Sequence, residues 1–218
     1  MNKYYEFTNI DIARNWINKN YGNFLNKIQD ECKIEGTLGE ALWSYTGSMS
    51  KDYNIILKFN DGNLNNIDNM IEKYYNCENP NSIVYIFCED AKKDIKIIYN
   101  AFSLNSIADD IILFHYFDIN YYDKKMINSE SFIINNFIST TMIRNAFGIK
   151  ELIYRNNYNS LLVIKVKRGS PCIPIWNEPK SILREYEIIL KPKSQFIVNK
   201  VKRKPFLKIK YIIECELI

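Results

Sequence analysis

The chain has 218 residues, 47% hydrophobic, 14% aromatic and 25% charged, with a net charge of +4 and a pI near 8.6. That length is enough to bury a core without metal or disulfide staples, and the composition speaks against extended disorder. The charge is too small to imply nucleic acid by itself. Five scattered cysteines with no CxxC pair, beside one histidine, argue against a disulfide framework or a zinc site and fit a reducing compartment.

The N-terminal residues lack the apolar segment of a signal peptide, and no run reaches the length of a membrane-spanning helix. Ile10, Ala13, Ile17, Phe24 and Ile28 recur on one face of a first helix, with Trp16 adjoining it. Gly36-Thr37-Leu38-Gly39 interrupts the pattern, which resumes over residues 40–45. Further helices are expected over residues 53–59, over 64–75 after the turn Asp61-Gly62-Asn63, and over 91–102, with a loop at 77–81. From about Asp110 short β-branched and aromatic runs take over, at residues 111–117, 132–141, 161–166, 186–190, 196–201 and 209–215. Helices followed by strands predict an α+β fold, with a helical part over about residues 1–105 and a β-rich core over 106–218 in a single domain.

Three stretches carry candidate chemistry. In Arg184-Glu185-Tyr186-Glu187-Ile188, strand periodicity puts the carboxylates of Glu185 and Glu187 on one face, roughly 7 Å apart. Burying two like charges there needs a cation or a substrate between them; a solvated strand edge is the plainer alternative. Phe137-Ile138-Ser139-Thr140-Thr141 leads an apolar strand into three hydroxyls able to satisfy carboxylates or backbone groups. The run 111–117 is an apolar strand carrying His115, the one histidine, whose plainer reading is a core residue with its bonds satisfied. The C-terminal lysines, Lys200, Lys202, Lys204, Lys208 and Lys210, alternate with apolar residues and read as strands with one solvated face before they read as a nucleic-acid site.

In this order the three stretches resemble the exoenzyme family of bacterial mono-ADP-ribosyltransferases, which includes the actin-modifying subunits of binary toxins and the Rho-modifying exoenzymes. That family has an arginine on its first core strand, then an aromatic-x-Ser-Thr-Ser strand, then Glu-x-Glu or Gln-x-Glu. The flanks also match: Ala13 and Trp16 the first helix, Tyr45-Thr46-Gly47 and Asn54-Ile55-Ile56-Leu57-Lys58 the next two, and residues 161–171 the strand and turn ahead of the glutamates.

The resemblance implies N-terminal helices on a mixed, mostly antiparallel two-sheet core, and an enzyme moving ADP-ribose from NAD, its substrate, to a protein side chain without a metal. It assigns Glu187 to the catalytic carboxylate on the ribose, Ser139 to holding it, Thr140 and Thr141 to supporting the nicotinamide pocket, and Glu185 to an arginine acceptor. Cleaving the nicotinamide–ribose bond develops positive charge on the sugar, which a carboxylate stabilises. Tyr45 and Asn54 become NAD contacts by the same resemblance. The chain departs from the family where His115 and Tyr116 replace the first-strand arginines; the diphtheria-toxin branch of the superfamily uses a histidine there. Tyr158 replaces a second arginine, with Arg155 nearby as a substitute, and Ile182 replaces an aromatic residue before Glu185. The implied partners are actin or a small GTPase as acceptor and a separate delivery subunit, and the implied setting is a secreted or injected effector in a host cytosol, an intracellular enzyme being the alternative. A degenerate, non-catalytic NAD-binding or interaction module and an NAD glycohydrolase are the competing readings.

Overall fold

In the computed structural model, which describes residues 4–64, 83–120, 124–145, 149–175 and 186–218, the chain enters its first helix at Asn9. The Asn9 side chain accepts from the Asp11 amide at 2.7 Å and so satisfies one of the open donors of a helix start. Helix α1 (Ile10–Glu31) buries Ala13, Ile17, Tyr21, Leu25 and Ile28, while Ile10, Trp16 and Phe24 pack at the margin of that face. Thr37 caps α2 (Leu38–Ser44) by accepting from the Glu40 amide, and the Glu40 carboxylate returns to the Gly36 amide at 2.6 Å. The glycine interruption is therefore a helix start. It is also a close approach: a Cβ on Gly39 would collide with the Ile28 carbonyl and come within 2.7 Å of Glu31.

A π-helical turn, Tyr45–Met49, separates α2 from α3 (Ser50–Phe59), with Gly47 outside helical geometry at ψ −119°. Helix α4 (Ile83–Ala101) begins ahead of the expected start at residue 91, because Ile-Val-Tyr-Ile-Phe offers no polar position from which a helical period can be read. Its Asp94 accepts from the Tyr53 hydroxyl at 2.5 Å and ties α4 to α3. Apart from Leu64, the helix expected over 64–75 and the loop expected over 77–81 lie outside the described residues. Among the described residues no helix is long and apolar enough to cross a membrane.

The strands are β1 (Ile111–Phe117), β2 (Ser131–Ile134), β3 (Ile138–Thr141), β4 (Ser160–Val166), β5 (Cys172–Ile175), β6 (Glu187–Leu190), β7 (Ser194–Arg203) and β8 (Tyr211–Leu217). They form one hydrogen-bonded sheet in the order β2-β7-β8-β4-β1-β3-β6-β5, antiparallel except for the β4/β8 pair. Where two sheets were expected there is one continuous sheet; the short β1/β3 pairing, with the single register pair Phe114 and Thr141, divides it into a β2-β7-β8-β4-β1 lobe and a β3-β6-β5 lobe. The helices pack on the β3-β6-β5 lobe, where Phe137 stacks on Phe102 at 6.1 Å and meets Tyr45 edge-on at 5.5 Å. Strand β5 and a short helix α5 (Ile149–Arg155) were not expected from the sequence.

A further expectation is corrected. Residues 132–141 are not a single strand: the chain breaks at Asn135-Asn136, so that β2 pairs with β7 at the sheet edge while β3 lies between β1 and β6. Asn136 is buried and its amide donates to the Phe137 carbonyl at 3.1 Å, a local bond that competes with the ladder.

The α1–α2 contact yields a direct test. Gly39→Ala forces the two helices apart and is expected to destabilise the fold by about 1–3 kcal/mol; urea unfolding that shows no loss would contradict this packing.

Candidate active site

Strands β3 and β6 pair with Thr141 opposite Glu187 and Ser139 opposite Ile189. The pleat therefore sends Ser139, Thr141 and Glu187 to one face. Glu187 opens β6 and is half-buried. Burial raises its pKa above the usual carboxylate range, and a bond from the Ser139 hydroxyl works in the opposite direction. The Ser139 Oγ lies 2.9 Å from the Tyr45 Oη. A serine hydroxyl has one proton, so when Ser139 donates to Glu187 the Tyr45 hydroxyl donates to Ser139. The result is a directed chain, Tyr45 to Ser139 to Glu187, in which each bond polarises the next. Tyr45 itself is fully buried, stacked on Tyr53 at 6.2 Å and edge-on to Phe137.

The other two hydroxyls of the triplet are turned to the backbone. Thr140 donates to the Ile188 carbonyl of β6 at 2.5 Å, and Thr141 exchanges bonds with Ile143 at 3.2 Å. Both stiffen the end of β3, Thr140 from the opposite face of the strand and Thr141 from the face it shares with Ser139, and neither lines the cleft described next.

His115 reaches across the lobe boundary, its Nδ1 2.7 Å from the Ser139 carbonyl. A carbonyl only accepts, so Nδ1 carries the proton and Nε2 is the accepting nitrogen. Desolvation holds the pKa of His115 down at about 4, leaving the ring neutral, stacked on Phe117 at 5.6 Å. Next to it, the Tyr116 hydroxyl donates to the Arg144 carbonyl at 2.5 Å.

A cleft of about 490 Å³ opens between the lobes, lined by Tyr45, Asn54, His115, Phe137, Ser139 and Tyr158, with Lys51 and Tyr116 also on its wall. Ser139 connects this cleft to the Glu187 carboxylate. The Oδ1 of Asn54 is buried and has no hydrogen-bond partner among the described residues, as suits a side chain that completes its bonding with a bound polar molecule. Volume, aromatic walls and a few convergent polar groups are the marks of a small-molecule site.

Arg155 is not drawn into this site. It sits on the solvent face of α5, paired with Glu151 at 2.5 Å in an i,i+4 arrangement, while its neighbours Asn156 and Tyr158 line the cleft. Glu185 and Ile182 lie outside the described residues. Sequence reasoning missed Arg14, whose Nε donates to the Tyr186 hydroxyl at 2.5 Å while its guanidinium lies 6.0 Å from that ring's centre. The Tyr186 carbonyl accepts from the Met142 amide at 3.2 Å. The residue ahead of Glu187 is thus tied to α1 and to the end of β3, and nothing in a lone helical arginine signals this. Among the described residues no group of three or more His, Cys, Asp or Glu could hold a metal ion.

Comparison with known proteins follows the same lines. The pattern of the ADP-ribosyltransferase exoenzyme family matches residues 13–217. A search of curated protein sequences finds no match. Among solved structures, the chain is similar to the C3 exoenzyme of Clostridium limosum, with a TM-score of 0.65, 21% identity and coverage of 99% of this chain and 98% of that one. It is similar to the ADP-ribosylating toxin BECa of a binary enterotoxin of C. perfringens, crystallised with NADH, with a TM-score of 0.70 and 18% identity; there it covers 99% of this chain but 50% of the other. It is also similar to C3stau2 of S. aureus, crystallised with NAD, with a TM-score of 0.66, 15% identity and 99% coverage of both chains. These likenesses carry the fold.

The electrostatics of Glu187 make a stability prediction. In the unfolded chain the carboxylate ionises in its ordinary range; in the folded protein it ionises only at higher pH. The burial penalty is therefore absent in acid, grows as pH rises from the ordinary carboxylate range through the raised value, and is complete above it. Glu187→Gln removes it and is expected to raise Tm at neutral pH by about 1–3 °C, with the gain disappearing near about pH 4 in scanning calorimetry.

Proposed function

The chain belongs to the ADP-ribosyltransferase exoenzyme family, and on that premise we propose that it cleaves NAD at Glu187 and transfers the ADP-ribose to an arginine of a target protein. The observation that supports this reading is the run of bonds from Tyr45 through Ser139, both on the cleft wall, to the half-buried Glu187 carboxylate behind them.

In the proposed reaction the bond between ribose C1′ and the nicotinamide nitrogen breaks, and its electron pair leaves with neutral nicotinamide. The sugar becomes oxocarbenium-like, and the ionised Glu187, within reach of a ribose hydroxyl, stabilises that charge. A guanidinium nitrogen then bonds to C1′ and releases one proton, so the acceptor keeps its single positive charge. Glu185 orients that acceptor, since a carboxylate pairs with guanidinium bidentately. His115 accepts from a ribose hydroxyl through Nε2. Asn54 and Lys51 meet polar and anionic parts of the dinucleotide, because a neutral imidazole cannot pair with phosphate. Actin or a small GTPase is the acceptor, reached in a host cytosol through a separate delivery component, a reading supported by the likeness to a binary-toxin subunit.

The test is to incubate the protein with labelled NAD, with and without cell lysate, following nicotinamide release and label on protein bands. Glu187→Gln is expected to lower both by about 10²-fold or more. Glu185→Gln is expected to abolish protein label while nicotinamide release persists. A wild-type rate in Glu187→Gln would sink the mechanism, and a wild-type protein that releases no nicotinamide would leave a binding module in its place.

The pH dependence follows from the two shifts. The acid limb of kcat/KM for NAD reports Glu187 and is expected above the ordinary carboxylate range, activity falling as the carboxylate protonates. His115, held at about 4, protonates too late to set that limb, so His115→Asn should lower the rate and leave the limb in place.

A further inference from the structure

Strands β7 and β8 are joined by a loop over residues 204–210 that projects an apolar tip into solvent: Phe206 is 98% exposed and Leu207 55%. The loop is closed by backbone bonds from Lys204 to the Lys210 carbonyl at 2.7 Å, from Leu207 to the Lys204 carbonyl at 3.1 Å, and from Lys210 to the Asn159 carbonyl at 2.7 Å. Phe206 is therefore presented by a formed loop and is not the end of a frayed strand. Around it stand Lys200, Lys202, Arg203, Lys204, Lys208 and Lys210, and residues 200–210 contain no acidic side chain. Lys202 is engaged by Glu214, Arg203 bonds Asn128 at 3.2 Å, and Lys208 bonds Asn157 at 2.7 Å while lying over the Tyr154 ring. Lys204 and Lys210 have no acidic partner among the described residues.

We propose that this tip docks on an anionic phospholipid surface, with Phe206 and Leu207 entering the boundary between headgroups and acyl chains and the surrounding lysines pairing with lipid headgroups. An exposed apolar wedge within a basic collar supplies both signals that reversible membrane attachment needs, apolar burial and attraction to negative lipid. Nucleic acid fits less well. Its phosphates call for cations along a groove with several stacking platforms, and this tip offers one aromatic ring, Phe206, beside the aliphatic Leu207, which has no π face for a base. The position of the tip has a consequence for the cleft. Lys208 holds Asn157, which lies between Asn156 and Tyr158 on the cleft wall, so docking brings the cleft close to the bilayer and favours acceptors held at a membrane. This does not depend on the chemistry assigned to Glu187.

The experiment is flotation of the full chain with phosphatidylcholine vesicles, with and without phosphatidylserine, at low and high salt. Binding is expected only with phosphatidylserine and is expected to weaken with salt. Lys204→Glu/Lys210→Glu and, separately, Phe206→Ser/Leu207→Ser should each weaken it by about tenfold or more. Both double variants change exposed residues and should keep the wild-type far-ultraviolet spectrum, so a loss of binding is a loss of the surface. Equal binding to neutral vesicles, wild-type binding by both variants, or no binding to either vesicle would overturn the proposal. So would tight binding of an oligonucleotide without vesicle binding, which would assign the cations to nucleic acid.

Discussion

A carboxylate half-withdrawn from water needs its bonds supplied by the protein, and at Glu187 they come from distant parts of the chain. Ser139 reaches it from the neighbouring strand, and Tyr45 reaches Ser139 from the π-helical turn between α2 and α3. Arg14 of α1 fixes Tyr186, the residue before it. Each of these depends on packing further away: Tyr45 on Tyr53 and Phe137, Phe137 on Phe102, and α2 on the missing Cβ of Gly39. The helical layer serves as more than a cover for the sheet. It also positions the hydroxyl of Tyr45, from which the bonds run through Ser139 to Glu187.

Much of this was legible in the sequence, for reasons that can be named. Strand β1 declared itself by six β-branched, aromatic and apolar residues around His115, and α1 by a stripe at helical spacing, because both signals survive in the residue types themselves. The Ser139-Thr140-Thr141 and Glu185-Tyr186-Glu187 runs could be joined to a family pattern because the chemistry tolerates few residue types at those positions. What stayed hidden depended on partners far away in the chain. That Asn136 would end one strand and begin another follows from its burial beside Phe137, which no local count reveals. Helix α5 and strand β5 are too short for a period to show. Arg155 stood at a plausible distance in sequence from the missing family arginine, yet a helical turn faces it outward to Glu151.

His115 shows how one substitution redistributes charge. A guanidinium in its place would bring a permanent cation to the cleft; the imidazole, dried and neutral, brings an acceptor on one nitrogen and spends its donor on the Ser139 carbonyl. The cation on the cleft wall is then Lys51, beside Asn54, whose buried oxygen has no partner among the described residues. A cleft with such walls offers a ligand hydrogen bonds and aromatic surface more than ion pairs, contacts that salt screens little.

The lobes of the sheet meet at one register pair, and the imidazole bond to Ser139 is the next link beside it. Each lobe has a ladder of its own, so cooperativity within a lobe is strong while the coupling between lobes rests on a short seam. A molecule lodged in the cleft touches β1 on one side and β3 on the other and becomes a third fastener. The free-energy difference between seam open and seam closed then grows with occupancy. In elastic terms these are two ladders joined at a short seam, and a molecule bridging the cleft would add to that joint.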